Sequence, residues 1–322
     1  MTKNNRAVLV GGVLVLSMLL ALNCANALQL SLSEKQEYIE KKVNSVLHPA
    51  PDSKPYHFEA PEGWTLEKFT LGNVSVERLK ADDLKTDRVI LQLHGGGYTG
   101  GLSENHRLLG AKQGALIGAS AVYYVNYRLA LEYIYPAALE DAAEVYKELL
   151  ASGIKPEKII VIGDSAGGNL ALELSLYLKE NGISQPAALA LISPWTTFEQ
   201  NAPLRIKNVE RDLVLGSKGF PLYQEVQVRK PSYAGDMQLN DPKLSPIYAD
   251  LRGLPPMLIQ AGGYELFLDD CLSLINRASS DDVEATLTVY PGMPHDFPLL
   301  FQELYETELS LREFQDFVER YL

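Results

Sequence analysis

Residues 159–170 read Ile159-Ile160-Val161-Ile162-Gly163-Asp164-Ser165-Ala166-Gly167-Gly168-Asn169-Leu170. Four consecutive β-branched residues make a short, wholly apolar strand, and from Ala166 the pattern becomes that of a helix over 166–180. A strand that passes directly into a helix strains the residue at the turn. Only small neighbours fit there, so the glycines at 163 and 167 let the backbone pass close by. Ser165 is then held above the sheet edge, over a helix N-terminus whose unpaired N–H groups attract developing negative charge. The bare spacing Gly-x-Ser-x-Gly also arises by chance, as a glycine-rich turn with an ordinary capping serine. Its place between strand and helix makes Ser165 a candidate nucleophile.

Outward from this turn the same alternation repeats. Apolar strands are predicted at 89–93, 121–125, 187–192, 257–260 and 286–290, with helices at 103–118, 137–152, 267–279 and 303–320. Continuous apolar strands separated by amphipathic helices predict an α/β protein whose parallel sheet is covered on both faces. Ahead of it, 33–47 reads as a helix with Ser33 as N-cap and Gln36 three residues on, and Gly72-Asn73 marks a hairpin. The stretch 198–243 breaks the rhythm with charge, proline and glycine, and is expected to insert as part of a lid.

Two further segments carry chemistry. His94-Gly95-Gly96-Gly97 follows the strand at 89–93, and three glycines in a row are worth their entropy if bare backbone N–H groups must approach a ligand. His94 reads as a structural residue that holds this loop. Of the five histidines, 48, 57, 94, 106 and 295, only His295 follows the last strand, in the loop after Pro291-Gly292-Met293-Pro294. That places it at the sheet edge shared with Ser165, as the candidate general base. Glu265, after the strand at 257–260 and Gly262-Gly263, is the candidate acid in the chain order nucleophile, acid, base. Asp269 and Asp270 fit better as helix-start residues, and Asp296 adjoins the histidine too closely to be expected at Nδ1.

Length and composition are consistent with these assignments. The chain has 322 residues, 46% of them hydrophobic, and a net charge of −12, which disfavours nucleic acid as a partner. Residues 1–27 read as a cleaved signal peptide: Lys3 and Arg6, then an apolar run over 7–22, then Ala25-Asn26-Ala27. Cleavage would give a secreted or extracytoplasmic domain at 28–322; an uncleaved segment would instead anchor it to a membrane. Cys24 and Cys271 are the two cysteines, too few for a disulfide framework or a cysteine-rich zinc site.

These segments together resemble the hormone-sensitive-lipase branch of the α/β hydrolases, across roughly residues 88–300. Beyond the Gly-Asp-Ser-Ala-Gly and His-Gly-Gly-Gly motifs, the likeness includes Tyr127-Arg128-Leu129-Ala130, Ser193-Pro194-Trp195, Asp241-Pro242 and Leu254-Pro255-Pro256. The resemblance implies a mostly parallel eight-stranded sheet with a small helical cap from about 28–60 and 198–243. It implies cofactor-free, metal-free hydrolysis of small carboxylic esters, often with short acyl chains, by Ser165, Glu265 and His295. The oxyanion would be held by the N–H groups of Gly95, Gly96 and Ala166. The same triad would also suit an amidase or a carbohydrate deacetylase. A non-catalytic binding protein on this fold would typically lack the nucleophile or base, and both are present. Glu265 stands where the family more often has Asp, Leu131 replaces a usual proline, and Asp296 replaces a common glycine.

Overall fold

Strand β5 (Ile159–Asp164) is buried along its whole length, near the middle of an eight-stranded sheet. The computed structural model describes residues 27–50, 56–83, 85–220 and 230–322. The other strands are β1 (Trp64–Leu71), β2 (Val74–Ala81), β3 (Val89–Leu93), β4 (Ala121–Asn126), β6 (Ala188–Ile192), β7 (Met257–Gly262) and β8 (Ala285–Tyr290). Their order in space is β1-β2-β4-β3-β5-β6-β7-β8. β1 and β2 form the hairpin expected around Gly72-Asn73, and β2 also pairs antiparallel with β4. Every later pairing is parallel.

Two-sided cover follows from side-chain alternation along these strands. Leu91, Leu93 and Val161 pack with Ala142 of α3 (Ala137–Ala151), Leu170 of α4 (Ala166–Glu180) and Leu274 of α6 (Leu268–Ser280). Ile90, Ile160 and Ile162 face the other way, onto Ala111 of α2 (Glu104–Ile117) and Phe314 of α8 (Tyr305–Tyr321). Each fully buried Leu, Ile, Val or Phe side chain among these contributes about 1.5–3 kcal/mol. Gln260 is polar within β7, but α8 satisfies it: its Nε2 donates to Ser310 O at 2.9 Å, and its Oε1 accepts from Ser310 Oγ at 2.9 Å.

The N-terminal helix α1 (Leu32–Leu47) starts earlier than its predicted Ser33 cap. Ser31 is the N-cap instead, because Glu34 lies three residues beyond it and the pair closes a reciprocal capping box. Gln36, without a capping role, donates through Nε2 to Gly292 O at 2.7 Å. The helix also packs Ile39 and Val43 with Met293 and with Phe297 of the short α7 (Phe297–Leu300), around the loop that carries His295. Between β6 and β7 lie α5 (Pro203–Asn208) and a 3₁₀ turn at Ser232–Ala234. Of the expected cap, residues 51–55 and 221–229 lie outside the described residues, as does the targeting segment apart from residue 27. Among the described residues no helix is long and apolar enough to cross a membrane.

Candidate active site

Ser165 sits between the end of β5 and the start of α4 with φ 52° and ψ −118°. A non-glycine residue in such a conformation costs on the order of 1–3 kcal/mol and persists only when its surroundings fix it. Here Ser165 N donates to Ile192 O at 2.9 Å, and Ser165 O accepts from Trp195 N at 3.0 Å. The flanking glycines are sterically required: a Cβ on Gly163 would strike the Gly167 carbonyl oxygen, and one on Gly167 would strike that of Leu93.

The His94–Gly97 turn follows β3, beside this elbow. Asp164 ties the two together, accepting from Gly95 N at 3.0 Å and lying 3.1 Å from His106 Nε2. Burial opposes the Asp164 charge, but His106, His94 and the Gly95 N–H outweigh it and hold the carboxyl below its usual range. The Gly95 N–H is therefore already spent, which corrects its assignment as an oxyanion donor. The next two residues, Gly96 and Gly97, have φ of 108° and 61°. No bond from their N–H groups, or from that of Ala166, is found among the described residues. His94 is fully buried against Tyr127, with ring centroids 4.1 Å apart, and its Nδ1 lies 2.8 Å from Gly95 O. That placement fits a loop-holding residue. His106 contacts Asp164 while its Nδ1 completes a capping box with Ser103.

His295 follows β8 and reaches the elbow from the opposite side. Its Nε2 lies 2.9 Å from Ser165 Oγ, and both residues are buried. Phe267 meets the ring edge-on at 5.0 Å between centroids. Glu265 is fully buried nearby, but the hydrogen bond it is expected to accept from His295 Nδ1–H is not formed. Its Oε2 accepts from Ser193 Oγ and Gly262 N, each at 2.6 Å, and among the described residues its Oε1 has only the Cys271 thiol at 3.7 Å. His295 Nδ1 has no hydrogen-bond partner among the described residues. The longer glutamate arm is drawn to these two stronger donors.

Asp296 reaches the imidazole after all, on its other nitrogen. Its Oδ2 lies 3.1 Å from Nε2, the atom that faces Ser165. The backbone bends back at Asp296, with φ 49°, and Asp296 N donates to Ser193 Oγ at 3.1 Å. Burial disfavours charge on His295, but the carboxylates of Asp296, Glu265 and Asp212 outweigh it and push the imidazole up to about 9. Burial in turn pushes the carboxyls of Glu265 and Asp296 above their usual range.

Asp269 and Asp270 lie in the first turn of α6, as expected of helix-start residues, and both also bind the insertion. Asp270 is fully buried, bonded to the Arg205 guanidinium at 2.7 Å and to Thr196 N at 2.8 Å. Asp269 accepts from Leu204 N. Both carboxylates hold α5 onto the core. The motifs contain Asp164 and Ser193 without disclosing their roles, and they do not contain His106 or Asp212. Asp164 stands at an x of the bare Gly-x-Ser-x-Gly spacing, and His106, Ser193 and Asp212 lie far from Ser165 in the chain. Among the described residues there is no cluster of three or more His, Cys, Asp or Glu that could hold a metal ion.

A family model described as the alpha/beta hydrolase fold matches residues 90–299. An esterase of Acinetobacter venetianus is 34% identical over 253 residues, covering 78% of this chain and 81% of that protein. An acetyl-hydrolase of Streptomyces hygroscopicus is 35% identical over 208 residues, 65% of this chain and 67% of its own length. Among solved structures, an esterase from the bacterial hormone-sensitive lipase family superposes with a TM-score of 0.76 at 29% identity, covering 100% of this chain and 99% of that one. The matched segment runs from β3 past His295 and contains both the elbow and the base loop, and the chain belongs to the α/β-hydrolase fold family, in its hormone-sensitive-lipase-like branch.

Proposed function

We propose that the protein hydrolyses small carboxylic esters with short acyl chains through an acyl-enzyme at Ser165. The observation that carries this is the 2.9 Å approach of His295 Nε2 to Ser165 Oγ, beside backbone N–H groups with no other partner among the described residues. His295 takes the Ser165 proton as Oγ attacks the ester carbonyl. The tetrahedral oxyanion is held by N–H groups of Gly96, Gly97 and Ala166, each worth roughly 2.7–4 kcal/mol of barrier. His295 then gives its proton to the leaving alcohol, and water cleaves the acyl-enzyme by the same route. Glu265 acts on the imidazolium through its charge. Its Oε1, with only a thiol donor among the described residues, is the oxygen we assign to Nδ1–H as the imidazolium forms, since such bonds tighten in the transition state. No cofactor enters any step.

α1 and the 198–243 insertion act in this proposal as the cap that excludes water. Residues 1–27 act as an export signal, so the mature enzyme works outside the cytoplasm. A panel of aryl acetates and butyrates, matched anilides and acetylated sugars tests the substrate class. Release of alcohol from the esters, with anilides slower by orders of magnitude, is expected. Preference for anilides or acetylated sugars would move the assignment to an amidase or deacetylase. A mature N-terminus near Leu28 in the exported protein tests the location; an intact Met1 in a membrane fraction overturns it.

A further inference from the structure

The insertion between β6 and β7 reaches the site with two buried polar side chains one helical turn apart, Asn208 and Asp212. Asp212 Oδ2 accepts from Leu266 N at 2.8 Å, the residue next to Glu265. Its Oδ1 accepts from His295 N at 3.3 Å, and from Val214 N and Leu215 N at 3.0 and 3.1 Å. Asn208 Nδ2 donates to Glu265 O at 2.9 Å. The segment is braced within itself, since Asp212 N donates to Asn208 O at 2.8 Å and Arg211 Nη1 to Asn208 Oδ1 at 3.3 Å. Its guanidinium also lies over the Tyr264 ring, 3.7 Å from the centroid.

From this geometry we infer that Asn208 and Asp212 are positioning residues, which fix the loops of Glu265 and His295 relative to one another from within the cap. The inference rests on the esterase assignment for its chemistry, but not for its geometry. If the insertion only covered the site, apolar contact would suffice, and burying a carboxylate there would be costly. Instead one carboxylate bridges backbone donors from both loops, with no cation bonded to it among the described residues. Two direct contacts join the same loops, Gly263 N to Tyr290 O and Tyr264 N to Met293 O, at 2.9 and 3.0 Å. Asp212 adds a third point, at the base itself. A cap moved by substrate would therefore move the acid and base with it.

The charge of Asp212 also bears on His295, together with Asp296 and Glu265 on the same ring, while Asp164 and His106 act on Asp296. Asp212→Asn places an NH₂ group against a backbone N–H and removes that charge. The test uses the full chain, with competent sites counted by a fluorophosphonate probe. For Asp212→Asn, kcat per competent site is expected to fall about 10-fold to 10²-fold, as for a small misplacement of reacting groups, with KM changed little. Asn208→Ala should move kcat in the same direction by less. His295 titration followed by NMR in Asp212→Asn should shift to lower pH, a readout independent of hydrolysis. An unchanged kcat per site and an unchanged His295 titration, with only a lower melting temperature, would overturn the inference. If Asp212→Asn does not fold, Asn208→Ala decides it, and a wild-type kcat there would sink it. Wild-type protein without esterase activity would fail the functional assignment alone, leaving the NMR titration to judge the positioning.

Discussion

The two sides of the site are built on different principles. The nucleophile side is local: Ser165, its glycines and Asp164 lie within five consecutive residues, and one nearby strand end supplies His94–Gly97. The acid–base side is assembled from β6, β7, β8 and the insertion, with Ser193, Glu265, His295, Asp296 and Asp212 meeting across long stretches of chain. A turn that must strain a serine writes its requirements into adjacent residues. A charge cluster that must tune a histidine can draw each member from anywhere.

Removing the nucleophile should have the largest effect. Ser165→Ala is expected to lower kcat about 10⁴–10⁶-fold with the fold intact, and a fluorophosphonate should label the wild type at Ser165. Labelling elsewhere would break the contrast at its local side. Next comes Glu265→Gln, with an expected loss of about 10³–10⁴-fold in kcat, because a neutral amide cannot stabilise the imidazolium. Since Glu265 makes no bond to Nδ1 in the resting site, a loss below tenfold would show that another carboxylate, Asp296 foremost, does its work.

Asp270→Asn tests the distributed side through stability. It leaves the fully buried Arg205 charge without its partner and should cost about 3–5 kcal/mol in urea unfolding. A cost under 1 kcal/mol would mean that α5 does not depend on the pair. The smallest change is expected for Asp296→Asn, which should retain most of the kcat at its plateau. The carboxylate beside Nε2 favours the protonated ring, whereas the base must be neutral. The acid limb of kcat/KM should therefore move to lower pH, by about one unit or more, raising relative activity below neutrality. A limb that stays in place would remove Asp296 from the tuning of His295.

The legible parts of the sequence were those whose physics is local or periodic. Alternating apolar strands and helices gave the order of layers, and the chain order of Ser165, Glu265 and His295 brought the three to one sheet edge. What escaped depended on side chains choosing among partners. Which glycine N–H stays free was decided by Asp164, whose carboxylate claims Gly95 and leaves Gly96 and Gly97. Asp269 and Asp270 are the helix-start residues the sequence suggests, but their partners, Leu204 N and Arg205, come from α5 in the insertion. Asp212 sits in a charged, irregular stretch where nothing distinguishes it from a surface aspartate.

By itself, then, the sequence determined the strand–turn–helix with Ser165 at its strained point, because sterics act between neighbours along the chain. It also determined a parallel sheet with two covered faces, because burial imposes a period on the residues. Only the tertiary structure decided the electrostatics of His295, through the carboxylates of Asp296, Glu265 and Asp212 around one imidazole. Coulomb forces and hydrogen bonds depend on distance in space, and that distance is set by packing the insertion and α1 onto the β7 and β8 loops.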